Sequence, residues 1–183
     1  MLKLTKTRPT TRLNTIIILL LITLFIACNN NTIEKQSSSA DKIAIGNLLD
    51  SFNVAAAKAD YEKYFNYYAD ESTFIGTDAT EVWNKKEFMV WAKPIFDKGS
   101  AWNFTSLDRH IYFDKTGNLA WFDELLNTQM KLCRGSGVLE KQNNEWKVKQ
   151  YVLSMTVPNN VIDSVLPIKA PIEDSMIRVL QSR

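Results

Sequence analysis

Residues 102–154, WNFTSLDRHIYFDKTGNLAWFDELLNTQMKLCRGSGVLEKQNNEWKVKQYVLS, decide the fold. Through them apolar side chains alternate with polar ones, the period of strands whose successive residues face opposite sides. Four strands are expected, over residues 102–113, 118–127, 131–141 and 145–154. Asp114-Lys115-Thr116-Gly117-Asn118 and Gln142-Asn143-Asn144 read as turns, because Gly, Asn and Asp tolerate the backbone angles of tight turns. Such short connections make consecutive strands antiparallel neighbours.

Upstream the period is helical. Ile45, Leu48, Leu49, Phe52, Ala55, Ala56 and Ala59 recur at three- and four-residue steps, the stripe of an amphipathic helix starting near Lys42. Asp60 is placed to cap a second helix with Tyr61, Tyr64, Phe65 and Tyr68 on one face. A short strand, 72–75, and a loop, 76–81, follow. Asn84 and Glu87 are spaced as a capping box for a third helix carrying Phe88, Trp91, Ala92, Ile95 and Phe96, which Gly99 ends. Helices followed by a meander of strands is an α+β pattern, with helices packed on one face of a curved antiparallel sheet. After 160 comes a tail interrupted by Pro167 and Pro171, whose end, 172–180, is expected to form a peripheral helix.

The first residues read as an export signal. Lys3, Lys6, Arg8 and Arg12 precede an apolar run from Leu13 to Ile26, and Phe25-Ile26-Ala27-Cys28 resembles the lipobox of bacterial lipoproteins. On that reading residues 1–27 are a cleaved signal peptide, Cys28 carries the lipid, and the membrane is a partner through it. Asn29, rather than Asp, resembles outer-membrane sorting, so the expected location is the cell envelope with the domain periplasmic or surface-exposed. Residues 28–41, polar and rich in Asn and Ser, read as a flexible tether. Residues 42–160 are the domain and 161–183 a C-terminal extension.

Removing the signal changes the charge. Four of the 22 basic residues and none of the 20 acidic ones precede Cys28, leaving 18 against 20 and a net −2. A basic nucleic-acid surface is therefore not expected. With Cys28 lipidated, Cys133 has no disulfide partner and reads as a small buried hydrophobe. One histidine cannot build a histidine-rich metal site, and the carboxylates show no metal spacing, so no metal or cofactor is expected.

The ordered pieces Phe74-Ile75-Gly76-Thr77-Asp78, Glu81-Val82-Trp83, Ala120-Trp121-Phe122-Asp123-Glu124, Arg134-Gly135-Ser136-Gly137-Val138 and Trp146 to Ser154 with Pro158-Asn159 resemble the SnoaL-like branch of the nuclear transport factor 2-like superfamily. The resemblance covers about residues 42–160. It implies a cone, also described as cystatin-like: a bent antiparallel sheet around three N-terminal helices, with a cavity between them. It also implies dimerisation through the outer sheet face in many members, and it spans isomerases, cyclases, dehydratases, ligand binders and oligomerisation modules. A shared fold does not settle activity.

Alternation supplies the site candidates. Trp146, Val148, Gln150, Val152 and Ser154 share one side of the last strand, opposite Lys147 and Lys149, and that side is expected to face the helices. On the neighbouring strand the pattern leaves open whether Arg134, Ser136, Val138 and Glu140 or Cys133, Gly135, Gly137 and Leu139 point inward. An inward Arg134 needs an anionic partner, for which Asp123 and Glu124 are the candidates. Arg134, Asp123 and Gln150 would then bind an anionic or polar ligand, with Asp123 or Glu124 as the general base of an isomerase or lyase. A structural ion pair that registers two strands is the alternative. His110, on a side with Phe104, Ser106, Asp108 and Tyr112, offers the one acid–base group of neutral pH. Trp83 is a candidate for stacking on a ligand at the cavity mouth. Three functions stay open: a membrane-tethered non-catalytic binder of a small, partly apolar molecule or protein partner, an isomerase or lyase, and a homodimerisation module.

Overall fold

The computed structural model describes residues 30–183, with side chains from Ser39 onward. The expected signal peptide and Cys28 lie outside the described residues. The chain divides into two compact units, Met1–Gly46 and Asn47–Arg183, and everything that bears on a site lies in the second.

Helix α1 runs from Asn30 to Ala57. Its start is the first departure from expectation, because residues 30–41 read as a tether without regular structure. Backbone hydrogen bonds alone propagate a helix once it is nucleated, and this polar stretch holds neither Gly nor Pro to stop it. Leu49, Phe52, Ala55 and Ala56 are buried, as the apolar stripe requires. Helix α2, Tyr61–Asn66, is capped by Asp60, whose carboxylate accepts the Lys63 N–H. It stops before Tyr68, which the sheet claims: strand β1 spans Tyr68–Ile75, longer than expected, and a short β2, Val82–Asn84, pairs with it. Helix α3, Lys85–Phe96, opens with the expected capping box, Asn84 accepting from Glu87 N at 3.0 Å while Glu87 accepts from Asn84 N at 3.0 Å. Gly99, at φ +82°, takes the left-handed turn beyond the helix end.

The meander then follows as read. Strands β3 (Thr105–Phe113), β4 (Leu119–Thr128), β5 (Lys131–Gln142) and β6 (Glu145–Met155) pair antiparallel in succession. Asn143 and Asn144 both sit at positive φ in the two-residue turn joining β5 to β6. Strand β1 joins β6 in parallel, giving the order β2-β1-β6-β5-β4-β3. Asp114 holds the β3–β4 turn by accepting from Thr116 and from Leu119 N, and those bonds lower its carboxyl pKa to about 2.

Two bulges govern which side chains face the helices. In β6, Val138 pairs with Gln150 and Leu139 with Val148, so Lys149 is an extra residue. Trp146 and Val148 are buried before it, Tyr151 and Leu153 after it. In β3, Ser106 pairs with Leu126 and Asp108 with Leu125, leaving Leu107 extra. Beyond it Ile111 is the buried side, and Asp108, His110 and Tyr112 turn outward.

The C-terminal helix α4, Ile162–Gln181, starts ten residues earlier than expected and contains both Pro167 and Pro171. The prolines are four apart, so the missing donors fall on one side of the helix. None of its residues is buried, and water can satisfy the freed carbonyls.

Candidate binding pocket and buried ion pair

The volume between helices and sheet is filled largely by aromatic rings. Phe52 stacks on Tyr64 at 4.4 Å, Phe74 on Phe88 at 4.1 Å, and Tyr151 lies 5.6 Å from Phe52 and 6.0 Å from Phe74. Burial pushes the Tyr64 phenol well up, against the opposing effect of its hydrogen bonds to Tyr68 and Trp102. A pocket of about 140 Å³ lies there, walled by Phe74, Phe88, Trp91, Trp102, Phe104 and Leu153, with Gly76, Thr77, Glu81, Gln129 and Met130 completing it. The Phe88 plane lies within 24° of the planes of Phe74, Trp91 and Trp102, so these rings of the wall lie broadly parallel to one another. Trp83 stacks on Trp91 at 4.7 Å, backing the pocket wall rather than lining the pocket.

Glu81 owes its place to glycine. A Cβ on Gly76 would lie 2.1 Å from Glu81 Oε2, so only the bare Cα leaves room for the carboxylate. Gly76 N–H donates to the Glu81 carbonyl at 2.9 Å, and Asp78 N–H donates to Oε2 at 3.2 Å. Sequence reading missed this residue as a site candidate, having treated the whole segment as a connecting loop.

Deeper in, β4 buries Glu124, 1% exposed. Arg109 grips its Oε2 through Nε at 2.8 Å and Nη2 at 2.8 Å, while Nη1 reaches Asp50 Oδ1 on α1 at 2.9 Å. Tyr151 donates to Oε1 at 3.3 Å. Burial first, then the Glu124 charge, holds the Tyr151 phenol well above its ordinary pKa, with Arg109 opposing. Gly135 makes the cluster possible, since a Cβ there would stand 2.6 Å from Tyr151 Oη and 3.1 Å from Glu124 Oε1. Glu124 therefore has its charge balanced and both oxygens engaged, the condition of a structural carboxylate rather than a free base.

The other expected site residues stand elsewhere. Cys133, Gly135 and Leu139 take the buried side of β5, which settles the open alternative and turns Arg134 outward. Arg134 Nη1 lies 3.7 Å from Asp123 Oδ1, and His110 Nδ1 lies 3.3 Å from the same oxygen, all on the outer sheet face. Gln150 and Ser154 also lose their expected inward place, because the Lys149 bulge gives that face to Tyr151 and Leu153. The expected trio of Arg134, Asp123 and Gln150 is thus no cavity constellation. Arg109 fills the inward role imagined for Arg134, and Glu124 that of its partner. Cys133 is buried with its thiol 3.5 Å from Thr128 Oγ1, as a small core residue should be.

The SnoaL-like domain profile matches residues 45–158. The chain belongs to the SnoaL-like domain family. Its fold recurs in solved structures at low identity: a nuclear transport factor 2-like protein of unknown function from Pseudomonas putida has a TM-score of 0.57 at 14% identity, covering 67% of this chain and 92% of its own. A cystatin-like domain of unknown function from Nostoc punctiforme gives 0.57 at 15% identity, covering 78% and 96%. The association domain of C. elegans CaMKII gives 0.53 at 16% identity, covering 64% and 97%. At such identities the likeness speaks for the fold alone. No curated protein matches the chain. The α+β class read from the order of elements stands, and so does the nuclear transport factor 2-like, cystatin-like fold that the family resemblance implied.

Proposed function

We propose that this protein is a lipid-tethered SnoaL-like domain of the cell envelope that binds a small, partly apolar molecule without catalysing its conversion. The observation that carries the reading is the pocket itself: rings from α3, β1 and the segment before β3 wall a space of about 140 Å³, while among the described residues its one ionisable lining group is Glu81. A ligand site of this kind is mostly apolar with a few placed polar groups. Catalysis draws less support, because Glu124 is held by Arg109 and Tyr151, and Asp123 stands on the outer face. The tether rests on the Phe25-Ile26-Ala27-Cys28 pattern after a basic, then apolar, N-terminus.

A second reading, homodimerisation, has its own observation. Tyr112 and Trp121 stack at 5.9 Å on the outer sheet face, 45% and 46% exposed. Large aromatics left together on a sheet face are characteristic of interaction surfaces. Native mass spectrometry of the full chain purified from its membrane tests the three claims together. The expected spectrum shows a mass beginning at a diacylated Cys28, a small-molecule adduct that Trp91→Leu removes, and a dimer that Trp121→Glu dissociates. An intact N-terminus sinks the tether, an absent adduct the binder, and a monomer at every concentration the dimer.

A further inference from the structure

We propose that the aromatic pocket selects a methylated ammonium group, with Glu81 as its counter-charge; this rests on the pocket being a ligand site. Two features point the same way. Trp91, Trp102, Phe74, Phe88 and Phe104 line the space, and among the described residues Glu81 is the one ionisable group lining it. The faces of Trp and Phe carry negative potential and attract cations, most strongly where water is excluded. An anion placed there would meet these faces and a carboxylate together.

Glu81 is also available for the task. Its one side-chain hydrogen bond is the 3.2 Å contact from Asp78 N–H, and among the described residues no lysine, arginine or histidine pairs with it. Gly76, lacking a Cβ, leaves room for the Glu81 carboxylate against its backbone, and both residues line the pocket. The same geometry distinguishes kinds of ammonium. A bare –NH₃⁺ has three donors to satisfy, which would take Glu81, Thr77 and Gln129 together, whereas the larger part of this wall is aromatic and apolar. A quaternary, fully methylated nitrogen such as that of choline donates no such bonds and presents its positive methyl groups to the rings.

The test uses the full chain in detergent and the tryptophan fluorescence that Trp91 and Trp102 supply. Choline is compared with dimethylbutanol, its neutral carbon isostere, and with ethanolamine. Choline is expected to bind about tenfold more tightly than either, the size of one desolvated cation–π contact with a carboxylate behind it. Glu81→Gln, which keeps an acceptor for Asp78 N–H, is expected to abolish that preference and leave dimethylbutanol affinity unchanged. Equal binding of choline and dimethylbutanol by the wild-type chain overturns the cation claim and leaves the pocket as a binder of neutral groups. Ethanolamine binding as tightly as choline overturns the methylated class. Binding of none of the three at millimolar concentration overturns the claim and counts equally against the pocket as a site for groups of this size.

Discussion

Asp123 and Glu124 are consecutive residues of β4, yet they live in two different media. Glu124 faces the helices, 1% exposed, with Arg109 and Tyr151 on its two oxygens. Asp123 faces out, its side chain 37% exposed, with His110 at 3.3 Å and Arg134 at 3.7 Å on one oxygen. Both sit beside an arginine, and a contact list treats them alike. Energetically they differ, because a charge pair removed from water must be complete to be tolerated, while an exposed pair exchanges freely with solvent. What separates the two is the pleat of the sheet, which turns one residue inward and the next outward.

The sharpest way to break this comparison is to remove Arg109. Arg109→Met leaves the Glu124 carboxylate buried with only the Tyr151 hydroxyl, and a loss of about 3–5 kcal/mol in urea unfolding is expected. Replacing both members, Arg109→Met with Glu124→Leu, is expected to regain most of it, since the uncompensated charge is gone. A double variant as unstable as the single one would show that the pair holds the fold by geometry rather than by mutual neutralisation. Gly135→Ala probes the same cluster without touching a charge. Its Cβ would stand 2.6 Å from the Tyr151 hydroxyl, at the end of a buried, rigid ring. Overpacking of that kind costs about 1–3 kcal/mol, read as a lower urea midpoint at unchanged slope. An unchanged midpoint would mean that the ring and Glu124 can separate freely.

The same two faces explain what was legible beforehand. The four-strand meander and its turns were readable because Gly117, Asn143 and Asn144 take positive φ, which most residues resist, and Asp114 is a residue whose carboxylate accepts a turn's N–H groups. The capping box was readable because it is a local bond pattern. The site was not, because strand phase is a running count, and one bulge inverts everything after it. Counting through Leu107 put His110 on the side of Phe104 and hid Arg109; counting through Lys149 put Gln150 and Ser154 inside in place of Tyr151 and Leu153. The signal was present in shorter windows. Ile111 and Phe113 against Asp108, His110 and Tyr112 already name the inner side of late β3, and Tyr151 with Leu153 names that of late β6. Glu81 carried no periodic signal, since its position depends on a missing Cβ at Gly76.

The smallest expected effect sits at the outer carboxylate. Asp123→Asn keeps the shape of the side chain and removes its charge from between His110 and Arg134, both about half exposed. Exposed pairs at such distances contribute little, and the change in unfolding free energy is expected within about 0.5 kcal/mol. The measurement belongs in dilute solution, where each chain is alone, because a partner packed over Trp121 would bury Asp123 as well. If Asp123→Asn is silent when dilute but destabilises the chain when concentrated, the outer face becomes an interior on association. Asp123 would then acquire the energetics that Glu124 already has, one residue away, within a single chain.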